Sequence, residues 1–353
     1  MGEKKFMAGN EAIAEAAVQA GCRYYFGYPI TPQNEIGEYM SWRLPQVGGC
    51  FLQAESEIAA IYMVFGGAGA GARVMTSSSS PGISLMQEGI SYIAAAELPC
   101  VIVNMMRGGP GLGGIHPSQS DYFQATKGGG HGDYHLLVLA PSTAQEAVSL
   151  TMLAFDLADK YRNPVMILGD GNMGQMMEPV EFKPVEKPFT VKKDWAITGA
   201  KNRPRNILKT LYLDPAVLEK RNLAIGRKLS EVVKNEVRFE SYMVDDADVI
   251  IAAYGTVARI AKTAIKVLRG KGLKAGLLRP ISLYPFPYQA FAQAAERTKH
   301  VLVVEMSMGQ MIEDVRLAVC GKSQVHFYNR VGGMVPSYEE IVTAVEKIAK
   351  GAR

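Results

Sequence analysis

Apolar and polar residues alternate along the first half of the chain with two periods, one typical of strands and one typical of helices. Short runs rich in β-branched and aromatic residues predict strands at Tyr24–Phe26, Val74–Thr76, Val101–Asn104, Leu136–Leu139 and Pro164–Leu168. The longer amphipathic segments between them predict helices at Gly9–Ala20, Pro32–Arg43, Glu55–Gly69, Gly82–Ala96 and Thr143–Tyr161. This order of elements predicts a parallel sheet with helices on both faces.

The same alternation returns in the last third of the chain. Strands are predicted at Asp248–Ala253, Lys274–Leu278, His300–Val304 and Val325–Tyr328, and helices at Val257–Arg269, Tyr288–Arg297, Gln310–Val319 and Tyr338–Lys350. The segment before them has weak periodicity and recurring prolines, at Pro179, Pro184, Pro188 and Pro204, which predict an extended connector with some helix. We therefore predict an α/β protein with two domains, each a mainly parallel sheet flanked by helices, at residues 1–177 and 245–353, joined by a connector at 178–244.

Composition and charge exclude several classes of protein. The chain has 353 residues, 48% of them hydrophobic, and a formal net charge of +4 with its basic residues spread out, which does not suggest nucleic-acid binding. No apolar run approaches the roughly 18 residues that a membrane span needs, so we expect a cytoplasmic protein. The four cysteines form no C-x-x-C pair, and the five histidines lack the spacing of paired ligands. We therefore expect buried, reduced cysteines and no metal or iron–sulfur cluster in this chain.

The segment Gly27–Pro32 lies where a predicted strand ends and a helix begins, which is where open parallel sheets bind ligands. Thr31 supplies the polar side chain at that edge. From the pattern alone, Thr31 is equally well explained as a helix cap before Pro32 at the first helical position.

Two carboxylates, Glu55 and Glu57, stand at the predicted start of an alanine-rich helix. Glutamates at helix starts are usually there because of the helix dipole. Glu57 is closer to the apolar stretch Ile58–Phe65, and an apolar flank disfavours the charged form of a carboxyl group. On its own, this pattern does not separate the two interpretations.

A glycine-dense loop, Arg107–Gly114, follows the predicted strand Val101–Asn104. Backbone amides and one guanidinium group can approach a small anion closely in such a loop. The alternative is an exposed loop in which Arg107 forms an ordinary salt bridge. The loop continues to Gly132 without clear periodicity, and a connection of roughly 30 residues inside a compact domain usually binds a ligand or forms an interface.

Two other glycine-containing segments imitate cofactor motifs. The segment Gly67–Gly71 resembles a nucleotide-binding loop but precedes a predicted strand instead of following one. The segment Gly169–Asn172 imitates the start of the motif that binds diphosphate and magnesium in thiamine enzymes. No Asn-Asn dipeptide follows it, so we expect Asp170 to end a strand at a turn.

Taken together, four motifs resemble the pyrimidine-binding, alpha-type subunit of 2-oxoacid:ferredoxin oxidoreductases over essentially the whole chain. They are Tyr28-Pro-Ile-Thr-Pro, Glu55-Ser-Glu, Arg107-Gly-Gly-Pro-Gly and Gln119-Ser-Asp. Further segments are most similar to the branched-chain, 2-oxoisovalerate (3-methyl-2-oxobutanoate) type: Lys127-Gly-Gly-Gly-His-Gly, Tyr161-Arg-Asn-Pro, Val304-Glu-Met-Ser-Met-Gly-Gln and Gly332-Gly-Met-Val-Pro-Ser. The resemblance implies a thiamine-diphosphate-binding pyrimidine-type domain followed by a transketolase C-terminal-like domain whose role is assembly.

The resemblance also implies a reaction and roles for three residues. The reaction is oxidative decarboxylation of a 2-oxoacid to acyl-coenzyme A and carbon dioxide, with reduction of ferredoxin. By its match to the family motif, Glu57 is the catalytic carboxyl group that engages the aminopyrimidine ring of thiamine diphosphate, and Glu55 is solvated or structural. Thr31 and Arg107 match positions that bind the substrate carboxylate.

Because the chain lacks the diphosphate and magnesium motif, the resemblance implies an active site at an interface, inactive without its partners. The expected partners are a thiamine-diphosphate- and Mg²⁺-binding subunit, a gamma-type subunit, an iron–sulfur ferredoxin-like subunit and ferredoxin itself. A homodimer of the isolated chain stays open. So do a 2-oxoglutarate or pyruvate type, half of a thiamine enzyme that transfers no electrons, and a non-catalytic scaffold.

Overall fold

The computed structural model describes residues 4–183 and 189–351. The strands are β1 (Lys4–Ala8), β2 (Tyr24–Gly27), β3 (Cys50–Gln53), β4 (Val74–Ser78), β5 (Val101–Met106), β6 (Leu137–Leu139), β7 (Val165–Asp170), β8 (Met177–Glu181), β9 (Phe239–Tyr242), β10 (Val249–Ala252), β11 (Ala275–Pro280), β12 (Ser282–Tyr284), β13 (His300–Glu305) and β14 (Gln324–Asn329). The helices are α1 (Gly9–Gln19), α2 (Asn34–Gln46), α3 (Glu57–Gly69), α4 (Ser80–Ala95), α5 (Tyr122–Thr126), α6 (Ala144–Tyr161), α7 (Gly171–Gln175), α8 (Pro215–Asn235), α9 (Gly255–Gly270), α10 (Tyr288–Ala295), α11 (Met311–Val319) and α12 (Tyr338–Gly351).

Within these residues, seven strands form the larger sheet in the order β12-β6-β7-β5-β4-β2-β3. All neighbouring pairs are parallel except β12 with β6. The central strands β4, β5 and β7 are buried along their whole length because helices cover both faces of the sheet. Ile61 and Ile83, from α3 and α4, pack on one face, and Ile13 and Phe155, from α1 and α6, pack on the other.

The second sheet has the order β14-β13-β10-β11-β9, and only its edge pair β9–β11 is antiparallel among the described strands. Helices α9 and α12 contribute Ile265 and Ile341 to the core on one face, and α10 and α11 contribute Phe291 and Val315 on the other. Strands β1 and β8 form a separate antiparallel pair. Two mainly parallel sheets flanked by helices confirm the predicted α/β class.

Two short strands lie outside the predicted limits of the domain whose sheet they join. Strand β12 lies beyond residue 245 but pairs with β6 in the larger sheet. Strand β9 lies within the predicted connector but pairs with β11 in the second sheet. Both are edge strands of three or four residues, too short to show a period of two. The limits at 177 and 245 stay a prediction.

The connector runs along the amino-terminal edge of the larger sheet. The Ile197 N–H group donates to the Gly69 carbonyl oxygen, and Arg221 and Lys228 of α8 form ion pairs with Glu97. Pro184 and Pro188, two of the prolines in the predicted connector, lie outside the described residues. No helix in the described part of the chain is long and apolar enough to cross a membrane.

The expectation that every cysteine is buried is wrong for two of the four. Cys22 and Cys100 are buried, but Cys50 and Cys320 are exposed. Cys50 begins the edge strand β3, and Cys320 follows α11 in a left-handed backbone conformation. An apolar neighbourhood in the sequence therefore does not bury a residue at a sheet edge or a helix end.

Candidate active site

The predicted site residues lie at one edge of the larger sheet. Strands β3, β2, β4 and β5 are parallel neighbours, so their carboxyl ends lie side by side. Thr31, Glu57 and Arg107 occupy the segments that follow three of these strands, and a run of serines, Ser77–Ser80, spans the end of the fourth strand and the start of α4. This is the edge at which open α/β sheets bind ligands.

Arg107 is a buried cation without a carboxylate partner. Its side chain is 7% exposed. Nη1 donates to the Thr31 carbonyl oxygen at 3.0 Å and Nη2 donates to the Leu112 carbonyl oxygen at 3.1 Å, while Nε has no partner. No acidic side chain within the described ranges forms an ion pair with it, so the ordinary salt bridge considered from the sequence is not present. A buried guanidinium group held by neutral acceptors can bind an incoming carboxylate.

Thr31 lies beside Arg107, and its side chain does not cap the following helix. Helix α2 begins at Asn34 with Gln33 as the N-cap residue. The Pro32 carbonyl oxygen accepts hydrogen bonds from Asn10 and Gln175 and so lies outside the helical pattern. Thr31 is exposed, and its Oγ1 accepts a hydrogen bond at 3.5 Å from Asn34, which leaves the hydroxyl group accessible to a ligand.

Glu57 is the first residue of α3, and Ser56 caps the helix by accepting a hydrogen bond from the Ala59 N–H group at 3.2 Å. The Glu57 side chain is buried, at 6% exposure, yet it has no hydrogen-bond or ion-pair partner in residues 4–183 or 189–351. Glu55 is exposed and precedes the helix. Of these two carboxylates, only Glu57 is enclosed and unpaired.

The apolar residue next to Glu57 does not enclose it, contrary to the expectation from the sequence. Ile58 is 46% exposed. The enclosure comes from α4: a methyl group added to Gly82 would lie 2.6 Å from Glu57 Oε1 and 2.1 Å from Ser78 Oγ. The absence of a side chain at Gly82 therefore makes room for the Glu57 carboxyl group.

The run Ser77–Ser80 lies between Glu57 and Arg107. The hydroxyl groups of Thr76, Ser78 and Ser79 are buried and have no hydrogen-bond partner in the described structure. Ser80 accepts a hydrogen bond at 3.0 Å from the Arg107 N–H group. The sequence showed this run only as a short tract of serine, because its role depends on the strand that precedes it and the helix that follows.

A second group of polar residues, Ser80, Asn104 and Asp121, is hydrogen-bonded to the main chain of Arg107. The Ser80 hydroxyl donates to Asp121 Oδ2 at 2.6 Å, and Asn104 Nδ2 donates to the same oxygen at 2.9 Å. Burial raises the pKa of Asp121 above its usual range, although the hydrogen bonds from Ser80 and Asn104 favour its charged form. One feature of the sequence marks this group, since Asn104 is the polar residue in the apolar strand Val101–Met106.

A cleft of about 640 Å³ opens beside these residues, between the two sheets. Arg107, Ser80 and Asp121 line one side of it. The other side comes from two loops of the second sheet, 306–310 and 331–332. Sequence reasoning assigned no chemistry to the C-terminal part of the chain, but two of its loops are walls of this cleft.

The site fits one half of thiamine diphosphate. An enclosed carboxyl group without a partner, next to buried hydroxyl groups without partners, can hold the polar edge of an aminopyrimidine ring. The Asp170 carboxylate is already occupied, because Oδ1 accepts from the Asn172 and Met173 N–H groups and from Thr256. No group of three His, Cys, Asp or Glu side chains in the described ranges is placed to hold a metal ion.

Comparison with known proteins agrees with this geometry. Residues 15–252 match the profile of the family described as pyruvate flavodoxin/ferredoxin oxidoreductase, thiamine diP-bdg, and residues 247–341 match the profile of pyruvate:ferredoxin oxidoreductase core domain II. The ketoisovalerate oxidoreductase subunit VorB of Methanothermobacter marburgensis is 49% identical over 345 residues, which cover 98% of both chains.

Two solved structures are similar in fold. A 2-oxoglutarate:ferredoxin oxidoreductase from Magnetococcus marinus superposes with a TM-score of 0.84 at 28% identity, covering 98% of this chain and 65% of that one. A split-gene transketolase, an inactive beta4 tetramer, has a TM-score of 0.61 at 16% identity, covering 97% of this chain and 98% of that one, and shows the fold alone. The chain therefore belongs to the pyruvate flavodoxin/ferredoxin oxidoreductase family and is a thiamine-diphosphate-binding subunit of a ferredoxin-dependent 2-oxoacid oxidoreductase.

Proposed function

We propose that this chain supplies Glu57, Thr31 and Arg107 to a shared active site that converts a branched-chain 2-oxoacid, 2-oxoisovalerate, to acyl-coenzyme A and carbon dioxide in the cytoplasm. One observation carries the proposal: a buried guanidinium group without a carboxylate and a buried carboxyl group without a donor lie at the same sheet edge. Buried polar groups without partners are costly in a folded protein, and two bound ligands explain their retention: an aminopyrimidine ring at Glu57 and a carboxylate at Arg107.

Arg107 and Thr31 bind the carboxylate of the 2-oxoacid. The guanidinium group is held in place by the Thr31 and Leu112 carbonyl oxygens and keeps Nε free of protein partners. The exposed Thr31 hydroxyl lies on the segment that Arg107 contacts. A charge-assisted hydrogen bond of this kind contributes roughly 1.5 to 3 kcal/mol, so these residues set affinity and orientation.

Glu57 holds a proton for the pyrimidine ring. When bound, thiamine diphosphate supplies the carbon that attacks the 2-oxoacid and accepts the electron pair that decarboxylation releases. The carboxyl group of Glu57 is anchored at the first turn of α3 and has no competing donor within the described chain. Its function is to hold or release a proton at the ring nitrogen, which is a general acid–base role.

A partner subunit completes the site and holds the diphosphate and Mg²⁺. Several large apolar side chains are exposed on the end of β3, the first two turns of α3 and α4 and the glycine-rich loop at this edge: Leu52, Ile58, Leu85, Leu112 and Ile115. Exposed apolar groups around a polar site are typical of an interface. The iron–sulfur clusters and the ferredoxin contact belong to further subunits, which include a gamma-type and a ferredoxin-like chain.

The residues around Arg107 favour an aliphatic substrate over a dicarboxylate. Arg107 is the one cation among the described residues that line the cleft, so a second substrate carboxylate, as in 2-oxoglutarate, would lack an ionic partner from this chain. Leu112 and Ile115, on the same loop, are 82% and 57% exposed. The VorB relative is a ketoisovalerate oxidoreductase subunit, which agrees with a branched aliphatic side chain.

The test is reduction of a viologen dye by the co-expressed complex, dependent on 2-oxoisovalerate and coenzyme A. Glu57→Gln keeps the shape of the side chain and removes its acid–base function, so we expect a loss of roughly a hundredfold or more in kcat. Glu55→Gln is the matched control, because Glu55 is exposed two residues away, and it should retain wild-type turnover.

Three outcomes would contradict the proposal. Near-normal turnover of Glu57→Gln would remove Glu57 from the chemistry. Turnover with 2-oxoglutarate or pyruvate that exceeds turnover with 2-oxoisovalerate would overturn the substrate. A wild-type complex that consumes no 2-oxoacid would favour a scaffold.

A further inference from the structure

The position of the Arg107 guanidinium group depends in part on the position of the Arg107 main chain. Within residues 4–183 and 189–351, the guanidinium group donates hydrogen bonds to two carbonyl oxygens, one of them from Leu112 in the glycine-dense loop that Arg107 itself begins. Neither acceptor carries an opposite charge. The direction of the guanidinium group therefore depends on these two acceptors and on where the main chain of residue 107 is held.

The Arg107 main chain is hydrogen-bonded to a ring of three residues, Ser80, Asn104 and Asp121. The Arg107 N–H group donates to Ser80 Oγ at 3.0 Å, and the Ser80 hydroxyl donates to Asp121 Oδ2 at 2.6 Å. Asn104 Nδ2 donates to the same carboxylate oxygen at 2.9 Å, and Asn104 Oδ1 accepts from the Ser80 N–H group at 3.2 Å. Two of these hydrogen bonds end on Asp121, and the other two link Ser80 to Arg107 and to Asn104.

A carboxylate is the side chain that suits this position. One oxygen of Asp121 accepts two hydrogen bonds from neutral donors, and charge-assisted bonds of this kind are shorter and stronger than neutral ones. Asp121 forms no ion pair within residues 4–183 and 189–351, although it lines the same cleft as Arg107. Its charge is thus used to orient the Ser80 hydroxyl, which then presents a lone pair to the Arg107 N–H group.

We propose that Asp121 is a positioning residue for substrate binding, which acts through Ser80 to hold the main chain of Arg107 and so aims its guanidinium group at the substrate carboxylate. This inference rests on the proposed role of Arg107. In this proposal Asp121 acts on the substrate only through Ser80 and Arg107, so its loss should weaken binding of the 2-oxoacid far more than it slows turnover at saturation.

The experiment uses the co-expressed complex and measures KM for 2-oxoisovalerate together with the inhibition constant of isovalerate, a carboxylate without the keto group. Asp121→Asn should raise both constants about tenfold, equivalent to about 1.4 kcal/mol, with kcat and KM for coenzyme A nearly unchanged. Asp133→Asn is the control, because Asp133 is an exposed carboxylate in the connection between α5 and β6. Unchanged constants for Asp121→Asn, or a fall in kcat alone, would overturn the proposal.

A double-mutant cycle with Arg107→Gln separates this proposal from the proposed function. If Asp121 acts through Arg107, the tenfold effect should disappear in the Arg107→Gln background. An equal effect in both backgrounds would overturn the positioning role while leaving the role of Arg107 intact. An Arg107→Gln complex with wild-type KM would overturn the carboxylate-binding role itself.

Variants of Ser80 test the same proposal if the Asp121→Asn chain does not assemble with its partner subunits. Ser80→Ala removes the acceptor of the Arg107 N–H group and should raise the same two constants, whereas Ser80→Thr keeps a hydroxyl group and should recover most of the affinity. Equal constants for Ser80→Ala and the wild type would refute the relay through Ser80.

Discussion

Replacing Gly82 by alanine should disable the site without removing any functional group. Gly82 lies in the first turn of α4, where the added methyl carbon would be 2.6 Å from Glu57 Oε1 and 3.0 Å from Glu57 Cγ. Carbon and oxygen atoms that are not bonded stay at roughly 3.2 Å or more, so the Glu57 carboxyl group has to move by about 0.6 Å. Ser78 Oγ, at 2.1 Å, has to move as well.

The expected cost is large for activity and small for stability. A misplacement of about 1 Å of a group at the reaction centre can lower the rate about a hundredfold, so a displacement of about 0.6 Å should lower kcat by roughly ten- to a hundredfold. Alanine is preferred over glycine in a helix by about 1 kcal/mol, which offsets part of the steric strain. We therefore expect a folded, assembled complex with low turnover.

The assay is 2-oxoisovalerate-dependent viologen reduction, with thermal unfolding measured in parallel. Gly66→Ala is the matched control, since Gly66 is also a helical glycine, in α3, but a methyl group there would meet no atom within 4 Å. Gly66→Ala should have wild-type turnover. If Gly82→Ala is equally active, the position of the Glu57 carboxyl group does not limit the reaction, and the steric argument is wrong.

Three further predictions concern substrate binding and the contact between the sheets. Arg107→Lys keeps the charge but cannot contact both carbonyl oxygens and a substrate at once, so KM for the 2-oxoacid should rise roughly tenfold or more in initial-rate measurements. Gln119→Ala leaves the buried Met306 N–H group unpaired and removes one of the two donors to the Tyr254 carbonyl oxygen, which should lower the free energy of unfolding by about 2 kcal/mol in urea titrations. Burial opposes ionisation of Glu146, but its ion pair with the buried Arg279 outweighs this and lowers the pKa of Glu146. Because the Glu146 side chain is 36% exposed and solvent screens the pair, Glu146→Gln should cost about 1 kcal/mol near neutral pH, a difference that disappears as the pH falls below the lowered pKa, where the wild-type carboxyl group is also neutral.

The central elements could be predicted from the sequence because their burial leaves a strong pattern. The strand predicted at Val101–Asn104 is β5, Val101–Met106, and the helix predicted at Thr143–Tyr161 is α6, Ala144–Tyr161. Edge strands such as β9 and β12 were not predicted, because one side of each strand is unpaired and partly exposed. Whether such a short segment forms an edge strand depends on distant partners and not on local periodicity.

The candidate site could be predicted in part, for a similar reason. Thr31 and Arg107 follow predicted strands, so the sheet topology was enough to bring them to one edge. The ring around Asp121 joins residues that are 17 and 41 positions away in the sequence, and such contacts leave no periodic signal. The enclosure of Glu57 was attributed to its apolar neighbours, but it depends on Gly82 in another helix.

The second sheet contributes the loop 306–310 to one wall of the cleft, and hydrogen bonds hold this loop in place. Glu305, at the end of β13, is fully buried, and its carboxylate accepts hydrogen bonds from the Ser307 hydroxyl and from the N–H groups of Gln310, Met311 and Ile312. These bonds anchor the loop 306–310, and Gln119 ties that loop to the first domain through the Met306 N–H and carbonyl groups. The loop 306–310 is thus hydrogen-bonded to the segment that carries Gln119, which restricts movement of these two walls of the cleft relative to each other. We therefore propose that water is excluded from the Arg107 side of the site by the surface of a partner subunit, which packs against the exposed Leu112.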